Sequence, residues 1–111
     1  IRETIMQYRK VTAIVHANSL EAVEEALKHT DAIEVAITHV KGYGDYKNFY
    51  SPEWTSEQAR VEVFIAQPQA QAAVHAICQA AYRGLDTDGI VAVLPVESLM
   101  RIKDCAPCAK P

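Results

Sequence analysis

A chain of 111 residues makes one domain with room for a single thin core, burying about two-thirds of the surface that its unfolded form exposes. Half of the residues are hydrophobic and 23% are charged, which excludes a disordered or collagen-like chain. The formal charge of −3 and a pI near 5.8 exclude a nucleic-acid surface, which needs clustered lysine and arginine to displace counterions from phosphates.

No apolar run approaches the length of a membrane span and no signal peptide is recognised, so no membrane insertion is expected and a cytoplasmic location follows. Three cysteines, two of them close together near residue 111, do not make the disulfide framework of a small secreted domain.

The β-rich segment Val11-Thr12-Ala13-Ile14-Val15 predicts a first strand. Asn18 with Glu21 three residues on has the spacing of a capping box, and Leu20, Val23 and Leu27 then recur on one helical stripe through about His29. Glu21, Glu24 and Glu25 fall off that stripe and read as a solvated helix face. Ile33, Val35 and Ile37 alternate with Glu34, Ala36 and Thr38 in a half-buried strand to Val40. From about 43 to 59 the pattern is lost in a stretch holding Gly44, Pro52 and the aromatics Tyr43, Tyr46, Phe49, Tyr50 and Trp54, expected to be a functional surface loop.

Alternation returns at Val61, Val63 and Ile65, and Pro68 suits the first position of a helix carrying Ala70, Ala73, Val74, Ile77 and Ala81, with Gly84 as its cap. The apolar run Gly89-Ile90-Val91-Ala92-Val93-Leu94 predicts a strand buried on both faces, hence a central one. The order strand, helix, strand, long loop, strand, helix, strand is a doubled split βαβ, βαββαβ, giving a ferredoxin-like α/β sandwich over residues 1–104 and a tail over 105–111. Helices cover one face of such a sheet. The other face needs cover too, which points to sheet packing in a symmetric oligomer.

Several segments then resemble the PII signalling family: Lys10–Val15 leading into Leu20–Val23, Val40-Lys41-Gly42-Tyr43-Gly44, Arg60-Val61-Glu62-Val63, Ala80–Gly84 with Thr87-Asp88-Gly89-Ile90, and Pro95-Val96-Glu97 with Arg101-Ile102-Lys103. Their order and spacing span residues 10–103. The resemblance implies a homotrimer that binds adenine nucleotides in clefts between subunits and regulates a protein target through the so-called T-loop. Gly42, Tyr43, Gly44 and Asp45 would form the wall at the loop base, and Glu62 and Phe64 would lie against the base. Thr87, Asp88 and Gly89 would offer backbone amides to phosphate, Ile90 would follow them, and Arg101 and Lys103 would supply positive charge. A turn presenting N–H groups beside fixed cations is a physically sound anion cradle.

Where that family carries an arginine and a lysine, this chain has Asp45 and Ile90. The family's first turn glycine is Thr87, and a base-contacting threonine is Ala36. With each charged hydrogen bond worth roughly 1.5–3 kcal/mol, losing two weakens binding of a third phosphate about a hundredfold or more, so ADP or AMP is expected over ATP. The loop is shorter than the family's, and Tyr46 and Tyr50 do not match the tyrosine that some members modify. The chain is in this respect similar to divergent members associated with inorganic-carbon uptake or carboxysomes, which implies bicarbonate as a second ligand and a carboxysome-associated location.

Cys105 and Cys108 have the spacing of a redox pair, read as a regulatory disulfide or an inert tail. Cys78 on the second helix reads as a packing or near-surface residue. His16, His29, His39 and His75 share no ligand spacing, so no metal site is expected. No nucleophile and base stand at recognisable spacing, so no catalytic activity is expected either. Two other readings stay open at this point: a CutA-type metal-tolerance trimer on the same sandwich, and a thiol redox or nucleotide-hydrolysing enzyme.

Overall fold

The computed structural model describes residues 7–42 and 56–105, and in it the expected order is realised. The elements are β1 (Tyr8–His16), α1 (Leu20–Leu27), β2 (Glu34–Gly42), β3 (Ser56–Ala66), α2 (Ala70–Ala81) and β4 (Gly89–Val96). The strands form one antiparallel sheet in the order β2-β3-β1-β4, the ferredoxin-like arrangement. Period-two alternation sends Val11, Ala13 and Val15 of β1, and Ala59, Val61, Val63 and Ile65 of β3, to one face, where all are buried. Val23 and Leu27 of α1 and Ala73 and Ile77 of α2 close over them as a single core.

The opposite face is laid out by the strand register. Glu34, Phe64, Lys10 and Leu94 form one row across the sheet; Ala36, Glu62, Thr12 and Ala92 form the next; Thr38, Arg60, Ile14 and Ile90 form a third. Among the described residues no helix covers these rows, and Ile90 is 66% exposed.

Four expectations are corrected. The apolar run at 89–94 is an edge strand: Val91 packs against the core, but Ile90 and Leu94 face the uncovered sheet surface and Val93 is exposed at the rim, so only one face is covered. The chain enters α1 through a tight turn, Ala17–Ser19, in which the Asn18 N–H donates to His16 Nδ1 at 3.1 Å. Buried Ser19 precedes the helix, and Asn18 is left inside the turn rather than at the cap. The β2–β3 ladder continues to Gly42↔Ser56, beyond the last β1 pair at His16↔Gln58, so the connection spans 43–55 rather than 43–59. No apolar alternation marks this stretch in the sequence. Gly84 lies in the turn beyond α2, whose cap is Tyr82 in an extended conformation.

Candidate functional site

Two groups of the sequence-predicted residues come together, at opposite ends of the sheet. The first lies beside the start of β1, where the chain past β4 bends into a short turn, Ile102–Asp104. The Asp104 N–H donates to the Arg101 carbonyl at 2.9 Å and the Cys105 N–H to the Ile102 carbonyl at 3.0 Å. This turn sets Arg101 and Lys103 along a groove of about 990 Å³, together with Tyr8, Ile33, Glu34 and Phe64. The Ile33 N–H donates to the Phe64 carbonyl at 2.8 Å, which fixes the far wall.

Glu62 stands two residues from Phe64 on the same strand face. Lys10 Nζ lies 2.9 Å from Glu62 Oε2 and 5.9 Å from the centre of the Phe64 ring. Both side chains of the ion pair are about a third exposed, so the pair contributes less than about 1 kcal/mol to stability, and its consequence is positional. It orients the carboxylate and the ring that were expected to meet the base. Ala36 is exposed in the same row as Glu62.

The second group is the turn from Arg83 to Gly89. Asp88 Oδ2 accepts the backbone N–H groups of Arg83 at 2.7 Å, Gly84 at 2.9 Å and Leu85 at 3.3 Å. Its Oδ1 accepts from Arg83 Nε at 3.0 Å, and Arg83 Nη2 donates to Thr87 Oγ1 at 3.2 Å. The Arg83 N–H, first among these bonds, holds the Asp88 carboxyl below the usual aspartate range. The Asp88 amide, expected to face phosphate, donates instead to the Leu85 carbonyl at 3.1 Å. Asp88 is therefore the builder of the turn. Gly84 and Gly89 take positive φ, +79° and +119°, on either side of it.

The register separates the groups. Gly89 pairs with Val15, whereas Tyr8, a wall of the Arg101 groove, pairs with Val96. Seven residue steps of extended chain separate them, about 24 Å, so one copy does not place the Thr87–Gly89 turn beside its own Arg101 and Lys103. Gly42, at the end of the β2–β3 ladder, shares the end of the sheet that holds the turn. Tyr43, Gly44, Asp45, the loop aromatics and Cys108 lie outside the described residues.

Sequence reasoning gave no role to Lys10 or Arg83. Lys10 shares the strand parity of Thr12 and Ile14, but its partners sit on β3, and only the register reveals them. Arg83 directly precedes Gly84, a local signal for a turn but not for its bonds. Cys78 is exposed and Cys105 half-buried. His29 stands 3.7 Å from Glu25 on the outer face of α1. Among the described residues no group of three or more histidine, cysteine or carboxylate side chains is placed to hold a metal, and no helix is long and apolar enough to cross a membrane.

Comparisons with known proteins agree with this fold. Residues 8–105 match the family model described as nitrogen regulatory protein P-II. Proteins of that name from Rhizobium meliloti and Azospirillum brasilense are 31% and 30% identical over 102 residues, covering 86% of this chain and 91% of each relative. A crystal structure of Arabidopsis thaliana PII bound to citrate superposes with a TM-score of 0.73 at 26% identity, over 87% of this chain and 84% of that one. A match along nearly the whole described chain, on the same sandwich, decides the assignment: the chain belongs to the P-II family of regulatory signalling proteins.

Proposed function

We propose that three copies of this chain assemble through their uncovered sheet faces and bind an adenine nucleotide at each boundary, ADP or AMP in preference to ATP. The observation that carries this reading is the distance of about 24 Å between the two halves of the site, a gap that a neighbouring copy closes by bringing its own Arg101 and Lys103 to the Thr87–Gly89 turn. The base lies along Phe64 and Glu62, oriented by Lys10. Thr87 and Gly89 supply the amides at the phosphate end, Asp88 shapes the turn, and Gly42, Tyr43, Gly44 and Asp45 complete the wall. Ile90 brings no charge to that end, which is why a third phosphate adds little.

Bicarbonate is the co-ligand in this reading, an anion seated where a terminal phosphate would lie. The output is the conformation of segment 43–55, read by a protein target in inorganic-carbon metabolism, consistent with a cytoplasmic or carboxysome-associated location. Cys105 and Cys108 are, in this reading, a regulatory redox pair or part of an inert tail.

Isothermal titration of the intact protein with AMP, ADP and ATP, each with and without bicarbonate, tests this. Tighter binding of ADP or AMP, strengthened by bicarbonate, is expected. Clearly tighter ATP would refute the preference, and affinities indifferent to bicarbonate would remove the carbon-metabolism branch. Turnover of bound nucleotide would favour an enzyme, and metal binding indifferent to nucleotide would favour the metal-tolerance reading.

A further inference from the structure

We infer that Arg83 is a specificity-determining residue of the nucleotide site, a guanidinium fixed at the Thr87–Gly89 turn that contacts the phosphate end of the adenylate. The inference rests on the reading of that turn as the phosphate cradle. It adds to the cradle a cation from the same copy, one that composition and spacing did not mark.

Three features place it there. Arg83 is held at the turn rather than left as a loose surface arm: Nε donates to Asp88 Oδ1 at 3.0 Å and Nη2 to Thr87 Oγ1 at 3.2 Å. The orientation of the planar fork is thus set before a ligand arrives, and little rotamer freedom is left to lose on binding. Asp88 does not simply cancel its charge, because Oδ2 is shared among the N–H groups of Arg83, Gly84 and Leu85, which spread the carboxylate's charge onto the turn's own dipoles.

The third feature is access. The Arg83 side chain is 33% exposed, against 18% for Asp88, and its bonds to Asp88 and Thr87 use the Nε–Nη2 edge of a group that carries five donors. The guanidinium end then reaches an oxyanion that sits over Thr87, in the bidentate geometry that guanidinium and phosphate share. Lysine would keep the charge at this place but not the fork.

The competing role is a brace that only shapes the turn, and the two separate by ligand. The full chain and its Arg83→Gln and Arg83→Lys variants are titrated with adenosine, AMP and ADP. Arg83→Gln is expected to weaken AMP and ADP roughly tenfold or more while leaving adenosine unchanged, and to flatten the salt dependence of ADP binding. Arg83→Lys is expected to recover part of the loss, and it serves alone should Arg83→Gln not fold. Equal weakening of all three ligands, or no weakening, would overturn this inference while leaving the nucleotide reading intact. Wild-type protein that binds none of the three would overturn both.

Discussion

Replacing Gly89 by alanine should break the junction between the Asp88 turn and the sheet. Gly89 has φ +119° and ψ −166°, a region open essentially to glycine alone. A Cβ built there would lie 1.9 Å from the Ile14 carbonyl oxygen, 2.9 Å from its carbon and 3.1 Å from the Val15 Cα. All three atoms belong to the backbone of β1, which is paired on both sides with β3 and β4. No side chain can swing aside, so the start of β4 must leave the ladder.

Backbone strain costs about 1–3 kcal/mol by itself, and losing the Val15↔Gly89 end of the ladder brings the total to roughly 3 kcal/mol or more. For a chain of this size that lowers Tm by about 12 °C or more. Gly84→Ala is the control: φ is +79°, but the nearest atom to a Cβ is the Tyr82 hydroxyl at 3.3 Å, the far end of an exposed side chain, so a cost of about 1–2 kcal/mol is expected. Thermal and urea unfolding followed by circular dichroism, at matched protein concentration, would measure both. A Gly89→Ala protein as stable as Gly84→Ala would refute the reasoning.

Because the Asp88 pKa is lowered on folding, its bonds stabilise the protein above the ordinary value of 3.8, and that contribution is lost as pH falls through the folded value, below about 3.8. Acid unfolding should show the stability gap between wild type and Asp88→Asn closing in that range, and a gap constant with pH would count against the assignment. Lys10→Met should change stability by less than about 1 kcal/mol, since its ion pair is partly exposed, yet weaken adenosine and ADP alike by freeing Glu62 and Phe64. Unfolding and titration of the same sample separate the two effects. Ile77→Ala, at a fully buried α2 position, should cost about 2–5 kcal/mol in urea unfolding, and a smaller cost would show a looser core than the packing describes.

The core and element order were legible because they depend on periodicity. Val61, Val63 and Ile65 alternate, Val23 and Leu27 share a helical stripe, and each pattern has one burial solution. The edge position of β4 was hidden, because an apolar run looks the same whether helices or another copy would cover it. The strand start at Ser56 was hidden because Ser56, Glu57 and Gln58 are all polar and carry no alternation. At the proposed site, Arg101, Lys103 and the Thr87–Gly89 turn are marked by the resemblance, whereas Lys10 and Arg83 bond to residues that only register or turn geometry brings near. Resemblance marks Asp88 without its bonds: the carboxylate binds the turn's amides, and the residue's own amide is already engaged.

Whether one binding site is built from two chains can be decided by mixing damaged copies. Arg101→Ala with Lys103→Ala removes the cations at one end of the sheet, and Thr87→Glu sets a repelling charge in the turn at the other, off the sheet face. Each variant alone should bind ADP weakly. Co-refolded and shown by native mass spectrometry to form mixed assemblies, they should regain a fraction of sites with wild-type affinity, each joining an undamaged turn to undamaged cations. Mixed assemblies that bind ADP no better than either parent would contradict a shared site.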